Sequence, residues 1–586
     1  MPRDLPPAFL DVEASLSGRR WVGLGADVER AAAHLAQVGG LSDPVARVLA
    51  RRGVEPEEAE AFLAPTLREL MPDPSSLKDM DRAVEVFAAA VKSRKRIAIF
   101  ADYDVDGGAS AALILDWLGQ MGHGATLYIP DRIDEGYGPN VLAMEELAAA
   151  HDLIICVDCG TLSHEPIAAA VAKGAEVVVL DHHQGGETLP PAQAVVNPNR
   201  QDEEVECTYL CAAGVVFLML AGANRALRGA AQVPDLIAML DLVALATVAD
   251  VAPLVGFNRA LVRQGLSVMA RRARPGLVAL GDVAGLHSRP TTYHLGFLMG
   301  PRVNAGGRIG AAHLGARLLA TRDTHEAAAL AERLDGLNRE RREIEAAVLA
   351  QAMEQAEARG TDGPLVWAAG EGWHPGVVGI VAARLKEATN RPAVVIGLED
   401  GIGKGSARSV AGVDLGGAVA ACTREELLLK GGGHAMAAGL TVAEPMLEPA
   451  MERLAELLAR QGAGVGGPQD LRIDGLVTPE GATPALIEEL EAAGPYGAGA
   501  PAPRFALSAQ RICFAKRAGE SHLRLTLQGD AGGRLDAIAF RAFESDLGPA
   551  LEGHGGRPFH LAGRLEIDEW GGRRRAKLRV EDAAAV

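Results

Sequence analysis

Four short runs rich in β-forming residues, RIAIFA (96–101), ATLYIP (125–130), DLIICVD (152–158) and EVVVLD (176–181), alternate with helical stretches such as ASAALILDWLGQMG (109–122) and HEPIAAAVAKG (164–174). No other feature constrains the fold as tightly. Strand, helix, strand, helix closes as a parallel sheet covered on both faces, an α/β architecture. The carboxyl ends of such strands share one edge, where open α/β folds bind their ligands.

Acids gather on that edge. The first strand runs into Asp102, Asp104 and Asp106, the third into Asp158, and the fourth into Asp181, His182 and His183. Asp250, in ALATVADVAPL, follows a helical segment and is within reach of the same edge. A single D-x-D at a strand end is commonly a helix cap. So many carboxylates on adjacent strand ends repel one another unless cations lie among them. Hard oxygen ligands with imidazole suit Mn²⁺ or Mg²⁺. Two ions about 3.5–4 Å apart, bridged by a shared carboxylate, account for the number of ligands.

The chain has 586 residues, more than one core accommodates, so several domains are expected. The stretch DTHEAAALAERLDGLNRERREIEAAVLAQAMEQAEARG (323–360) reads as one long connecting helix. Beyond it PLVWAAG and RPAVVIG restart a β/α pattern, closed by the helix LEPAMERLAELLARQG. GAGVGGPQD (462–470) is a linker by composition. Four β-rich runs from about residue 471 suggest a small barrel, first of all an oligonucleotide-binding (OB) fold. The expected division is an N-terminal helical segment (1–75), a catalytic α/β domain (76–322), the connecting helix (323–360), a smaller α/β domain (361–461) and the barrel (471–586).

The net charge of −18 argues against a generally polycationic binder, though not against a local groove. Basic runs occur at KSRKR (92–96), RERRE (339–343) and GGRRRAKLR (571–579). The longest apolar run, TYLCAAGVVFLMLAGA (208–223), falls short of the ~20 residues of a membrane span and reads as a buried helix. The N-terminus MPRDLPPAFLDVEA has no secretory pattern, so a cytoplasmic, membrane-free protein is expected. The six cysteines include a C-x-x-C at 156–159 and a C-x-x-x-C at 207–211; Cys156 lies inside a strand run, so reduced thiols are expected rather than zinc. No phosphate-loop motif G-x-x-x-x-G-K-[ST] is present, and no use of ATP is expected.

Read in order, DYDVDG (102–107), VDCG (157–160), DHH (181–183) and TVADVAPL (247–254) resemble the four motifs of the DHH phosphoesterase family. GKGSARS (403–409) and GGGHAMAAG (431–439) resemble its DHH-associated domain. RVNAGGRIG (302–310), GPYGAGAPAPRF (494–505) and the β-rich tail point to the family's single-strand-specific exonucleases. The resemblance implies a two-lobed DHH fold with a C-terminal OB barrel, and 5′-to-3′ hydrolysis of single-stranded DNA in repair and recombination. It assigns Asp104, Asp106, Asp158, His182 and Asp250 as metal ligands, with Asp158 bridging. Several relatives carry a histidine where this chain has Phe100, and Asp102 is the expected substitute. Asp181 and His183 are read as orienting groups or a proton donor. Two Mn²⁺ or Mg²⁺ ions would lower the pKa of a water and neutralise charge at phosphorus during in-line attack.

For the nucleic acid, the glycines Gly432 and Gly433 with His434, and the donors Ser406, Arg408 and Ser409, are a suitable set for a 5′-terminal phosphate. Arg132, Arg302, Asn304 and Arg308 are further candidate contacts. The implied partners are single-stranded DNA, preferably 5′-phosphorylated, a single-strand-binding protein and a helicase; the chain is expected to be a monomer. Trp570 and Phe540, close to RRRAKLR, are candidate stacking residues in the barrel. Ala500, Ala502 and Cys159 stand where the family pattern has Asn, Glu and Asn. Two other readings remain at this point: a DHH phosphodiesterase for short oligoribonucleotides or cyclic dinucleotides, and a catalytically silent DNA-binding scaffold.

Overall fold

The computed structural model describes residues 7–131, 135–136, 138–229, 232–464, 470–529, 531–569 and 573–586. Arg132, Trp570 and most of the glycine-rich linker lie outside them. The chain forms two compact units, residues 71–466 and residues 1–70 with 467–586.

The larger unit opens with a five-stranded parallel sheet. Its strands are β1 (Ile97–Ala101), β2 (Ala125–Tyr128), β3 (Leu153–Val157), β4 (Glu176–Leu180) and β5 (Ala194–Val196), in the order β2-β1-β3-β4-β5. Strands β1 and β3 are buried along their whole length, as expected of a sheet covered on both faces. Because β1, β3 and β4 are neighbours, their three acidic ends fall side by side.

Four helices frame that edge: α1 (Val105–Gln120), α2 (Ala212–Leu227), α3 (Leu240–Ala249) and α4 (Gly300–Ile309). Helix α2 is the apolar run of the sequence, and most of its residues are buried. Among the described residues no helix is long and apolar enough to cross a membrane.

Helix α5 (Thr324–Arg359) is the connector, 36 residues and about 54 Å long. Asp323 starts it by accepting from Glu326 N at 2.8 Å, and Gly360 ends it at φ 93°. Its first half buries Leu330, Leu334 and Leu337. Its second half contributes Val348, Ala352 and Ala356 to the core of the next sheet. One rod thus shares two cores.

That second sheet holds β6 (Val366–Glu371), β7 (Ala393–Glu399), β8 (Ile402–Arg408), β9 (Lys430–His434) and β10 (Ala437–Ala443), in the order β9-β10-β8-β7-β6. Helix α6 (Pro375–Thr389) covers one face. Helices α7 (Leu415–Arg424) and α8 (Leu447–Arg460) cover the other. GKGSARS lies on β8 and its end, and GGGHAMAAG is the β9–β10 hairpin, so both motifs are strand surfaces rather than loops.

The smaller unit holds a six-stranded sheet, five strands of which close into a barrel. Its strands are β11 (Gly475–Leu476), β12 (Phe505–Ala518), β13 (His522–Gln528), β14 (Arg534–Ala539), β15 (Phe559–Asp568) and β16 (Arg575–Ala585), closed by pairing of β12 with β15. The N-terminal helices at Ala26–Gly39 and Asp43–Arg51 belong to this unit. Leu35, Leu49 and Val45 pack in one cluster with Phe505, Leu525 and Phe559. The separate N-terminal segment expected from the sequence is therefore part of the barrel's core, because its apolar faces have that surface to bury.

Candidate active site

The turn after β1 is built to hold acids. Asp104 caps α1, its Oδ1 accepting from Asp106 N at 2.8 Å and Gly107 N at 3.1 Å. A Cβ at Gly107 would stand 2.4 Å from the Asp102 carbonyl oxygen, so only glycine closes this turn. Asn304 of α4 accepts from Val105 N at 3.0 Å and braces it from outside. Asp106 is buried, and its oxygens accept from the first amides of α2, Ala212 N at 2.7 Å and Ala213 N at 2.9 Å. A helix N-terminus is a favourable place for that charge.

Strand β3 runs directly into Asp158, which is buried and left-handed at φ 59°. A non-glycine residue there costs of order 1–3 kcal/mol, a strain typical of functional sites. Strand β4 runs into Asp181. Its Oδ1 accepts from His182 N (2.7 Å), His183 N (3.2 Å) and His183 Nδ1 (2.8 Å), and its Oδ2 from Thr161 N (3.0 Å). Asn197 donates to the His183 carbonyl at 2.7 Å, and Asn199 to the His182 carbonyl at 2.7 Å. Arg200 anchors this stretch to Asp79 and Asp202.

These elements bring the acids together. His182 Nε2 lies 3.2 Å from Asp158 Oδ1 and 3.7 Å from Asp106 Oδ2, and its Nδ1 lies 3.9 Å from Asp250 Oδ2 at the end of α3. Three ligand groups result: Asp106–His182–Asp250, Asp158–His182–His183 and Asp102–Asp104–Asp158, each with one atom per residue within 4.8 Å of the others. Asp158 belongs to two of them. Phe100, by contrast, is buried and stacked on Tyr128 with centroids 5.3 Å apart, so that position offers no ligand.

The protein alone does not neutralise this cluster. Burial, then Asp106, Asp104 and Asp102, hold the Asp158 carboxyl well above the usual range. Burial also raises Asp106, against the pull of His182. Asp250 is pushed up to about 8 by burial, then by Asp106 and Asp104. Buried oxygens that hold protons for want of positive charge, with an imidazole among them, fit a hard divalent cation. Asp181 behaves differently. Burial works to raise it, but the hydrogen bond and charge of His183, with Thr161, bring it below the ordinary carboxylate range. Its bonds to His183 favour the orienting role over that of a proton donor. His183 is raised to about 9, burial being outweighed by Asp181.

Three family descriptions match in sequence order: the DHH family N-terminal domain at residues 96–247, the DHHA1 domain at 362–461 and the RecJ OB domain at 473–582. A Dickeya dadantii protein named single-stranded-DNA-specific exonuclease RecJ is 39% identical over 566 residues, covering 91% of this chain and 95% of that protein. The chain belongs to the RecJ family. Escherichia coli RecJ is 35% identical, covering 92% of this chain and 95% of its own length. The crystal structure of Thermus thermophilus RecJ in complex with Mn²⁺ matches with a TM-score of 0.80 at 31% identity, covering 96% of this chain and 79% of that one. The Mg²⁺ complex from the same organism matches at 0.74 and 28% identity, covering 97% and 78%.

The other residues singled out from the sequence are distributed unevenly across this RecJ fold. Ser406 and Arg408 on β8 pair through Gly439 and Ala437 of β10 to Gly432 and His434 of β9, so all four share one sheet face. A Cβ at Gly432 or Gly439 would meet nothing within 4 Å, which leaves an open ledge of backbone. Gly433 sits between them on the hairpin. Ser409 is buried and donates to the Val413 carbonyl at 2.8 Å, which makes it a fold residue. Arg302 binds Asp335 at 2.9 Å and the Leu298 carbonyl at 2.7 Å, tying α4 to α5. Arg308 donates to the Gly376 carbonyl at 3.2 Å, where α4 meets the start of α6. Arg132 lies outside the described residues. Sequence reading missed Asn197, Asn199 and Thr161; the alternate asparagines of NPNR, just after a strand, were the available signal.

Proposed function

We infer that the chain is a single-stranded-DNA-specific exonuclease, as its RecJ relatives are named. One observation carries this: five carboxylates and two imidazoles converge on one strand edge as overlapping three-ligand groups. A silent scaffold has no use for a strained, buried Asp158 among like charges. The RecJ OB match and the barrel favour a long strand over a cyclic dinucleotide.

The reaction is hydrolysis of a phosphodiester. Mn²⁺ or Mg²⁺, two ions in our reading, supplies when bound the charge that neutralises the phosphate and the pull that acidifies a water. Asp104, Asp106, Asp158, His182 and Asp250 would hold the ions, with Asp158 shared and Asp102 joining beside it. Asp181 fixes the His183 ring and raises its pKa above the ordinary imidazole value, which suits it to give a proton to the leaving oxygen. Ser406, Arg408, His434 and the amides around Gly432 and Gly433 would receive the terminal 5′-phosphate, which sets 5′-to-3′ polarity. We further assign a monomer acting in the cytoplasm. Its substrate must arrive unpaired, so a helicase and a single-strand-binding protein are the partners we assign to it.

The test is a timed digestion of single strands labelled at either end, with and without Mn²⁺, with Asp158→Ala as control. Loss of the 5′ label first, only with the ion and not with the variant, is expected. Equal digestion of duplex and single strand, or activity surviving in the variant, overturns the reading.

A further inference from the structure

The segment His294–Met299, which leads into α4, is a π-helix, a rare form that often marks functional sites. It lies against the last turn of α3. A Cβ at Gly296 would stand 3.3 Å from Val248 Cγ1, and one at Gly300 3.2 Å from Ala249 Cβ. The next residue on α3 is Asp250, a member of the carboxylate cluster. On the outer side of the segment, Tyr293 is 52% exposed and Phe297 70% exposed. Their rings stack, with centroids 5.3 Å apart and planes at 23°. His294 stands edge-on to Tyr293 at 5.8 Å. Val251, directly after Asp250, is 69% exposed.

Isolated apolar residues in water are ordinary, but a stacked aromatic pair beside a reaction centre is an organised surface. We propose that Tyr293 and Phe297 form a stacking platform for bases of the single strand whose scissile phosphate sits at the carboxylate cluster. The inference rests on the exonuclease reading and adds a base-contacting element to it. A nucleic acid is the occupant because the segment carrying the platform abuts the last turn of α3, directly before Asp250 of the carboxylate cluster. Aromatic faces accept every base, so they add grip without sequence preference, which suits an enzyme that degrades any strand.

The experiment walks a single abasic site along a 5′-phosphorylated oligodeoxynucleotide and reads binding to the full chain by anisotropy without divalent ions. In the wild type, one or two adjacent positions should lose about tenfold in affinity when the base is removed. In Y293A/F297A that step should vanish, and the intact strand should bind about tenfold more weakly. F297W and Y293F should keep the step, so the test stands even if the double variant folds poorly. A step that persists in Y293A/F297A overturns the proposal, as does a flat wild-type scan from a protein that still digests unmodified strands. A wild type that neither binds nor digests single strands defeats the exonuclease reading itself. A dimer in sedimentation that Phe297→Ala dissolves would give the platform to a second copy instead, and the proposal falls.

Discussion

Asn199 donates from Nδ2 to the backbone carbonyl of His182 at 2.7 Å, and so holds a candidate ligand by its main chain rather than its ring. Its neighbour Asn197 does the same for His183 and also donates to Thr161 Oγ1 at 2.9 Å. Partners behind ligands typically matter about 10–100-fold in metal affinity. Asn199→Ala should weaken Mn²⁺ binding by that range, read by electron paramagnetic titration of the free ion. Asn199→Asp, which keeps the shape but loses the donor, should behave alike. Unchanged affinity in both variants would show that the carbonyl needs no tether.

Asp158 faces two opposed demands. Without ions, burial and then Asp106, Asp104 and Asp102 hold its carboxyl well above the usual range, so folding at neutral pH costs the uptake of a proton. Asp158→Asn removes that cost, so the metal-free variant should melt higher than the metal-free wild type. Added Mn²⁺ should raise the wild-type melting temperature and move the variant little. Hydrolysis should fall about a thousandfold or more, since a shared ligand supports several kcal/mol of charge stabilisation. Calorimetry with and without the ion, beside a nuclease assay, checks all three.

How much of this was legible follows from the kind of order involved. The acidic edge could be read because parallel strands share a direction, so Asp102, Asp158 and Asp181 had to emerge together. The long helix could be read from its pattern and from the Asp323 and Gly360 that bound it. The N-terminal helices could not be placed, since Leu49 meets Phe505 across more than four hundred residues, and local periodicity carries no such information. The left-handed Asp158 was invisible because nothing in VDCG reports a φ angle. Ser409 could have been set apart from the sequence: period-two alternation puts Ser406 and Arg408 on one face and leaves Ser409 off it.

Mn²⁺ affinity should depend on pH with a sign set by Asp250. Its folded pKa, about 8, stands above the ordinary carboxylate range, so the folded metal-free chain holds a proton that the unfolded chain has released. Metal-free stability should therefore fall as pH rises from about 4 towards 8. A cation must displace that proton and any held by the raised carboxyls of Asp158 and Asp106, so affinity should rise at least about tenfold per pH unit below 8. Titration calorimetry in buffers of differing ionisation enthalpy counts the protons released. Zero release at pH 7 would contradict the raised carboxyl.

Ser409 and Arg408 are adjacent in sequence and should part company in kinetics. Ser409 donates to Val413 in the core, so Ser409→Ala should cost about 1 kcal/mol of stability and leave KM for a 5′-phosphorylated strand unchanged. Arg408 is half-buried, with Ser406 beside Gly379 of α6, on the sheet face it shares with Gly432 and His434. Losing a charged hydrogen bond to phosphate typically costs about 1.5–3 kcal/mol, so Arg408→Ala should raise KM about 10–100-fold. The same variant should lose most of any preference for a 5′-phosphate over a 5′-hydroxyl, because the guanidinium is the permanent positive charge in that group of four. Denaturation midpoints for Ser409→Ala, and KM for the two end chemistries with Arg408→Ala, decide the assignment. A KM effect in the serine variant equal to that in the arginine variant would return Ser409 to the phosphate site.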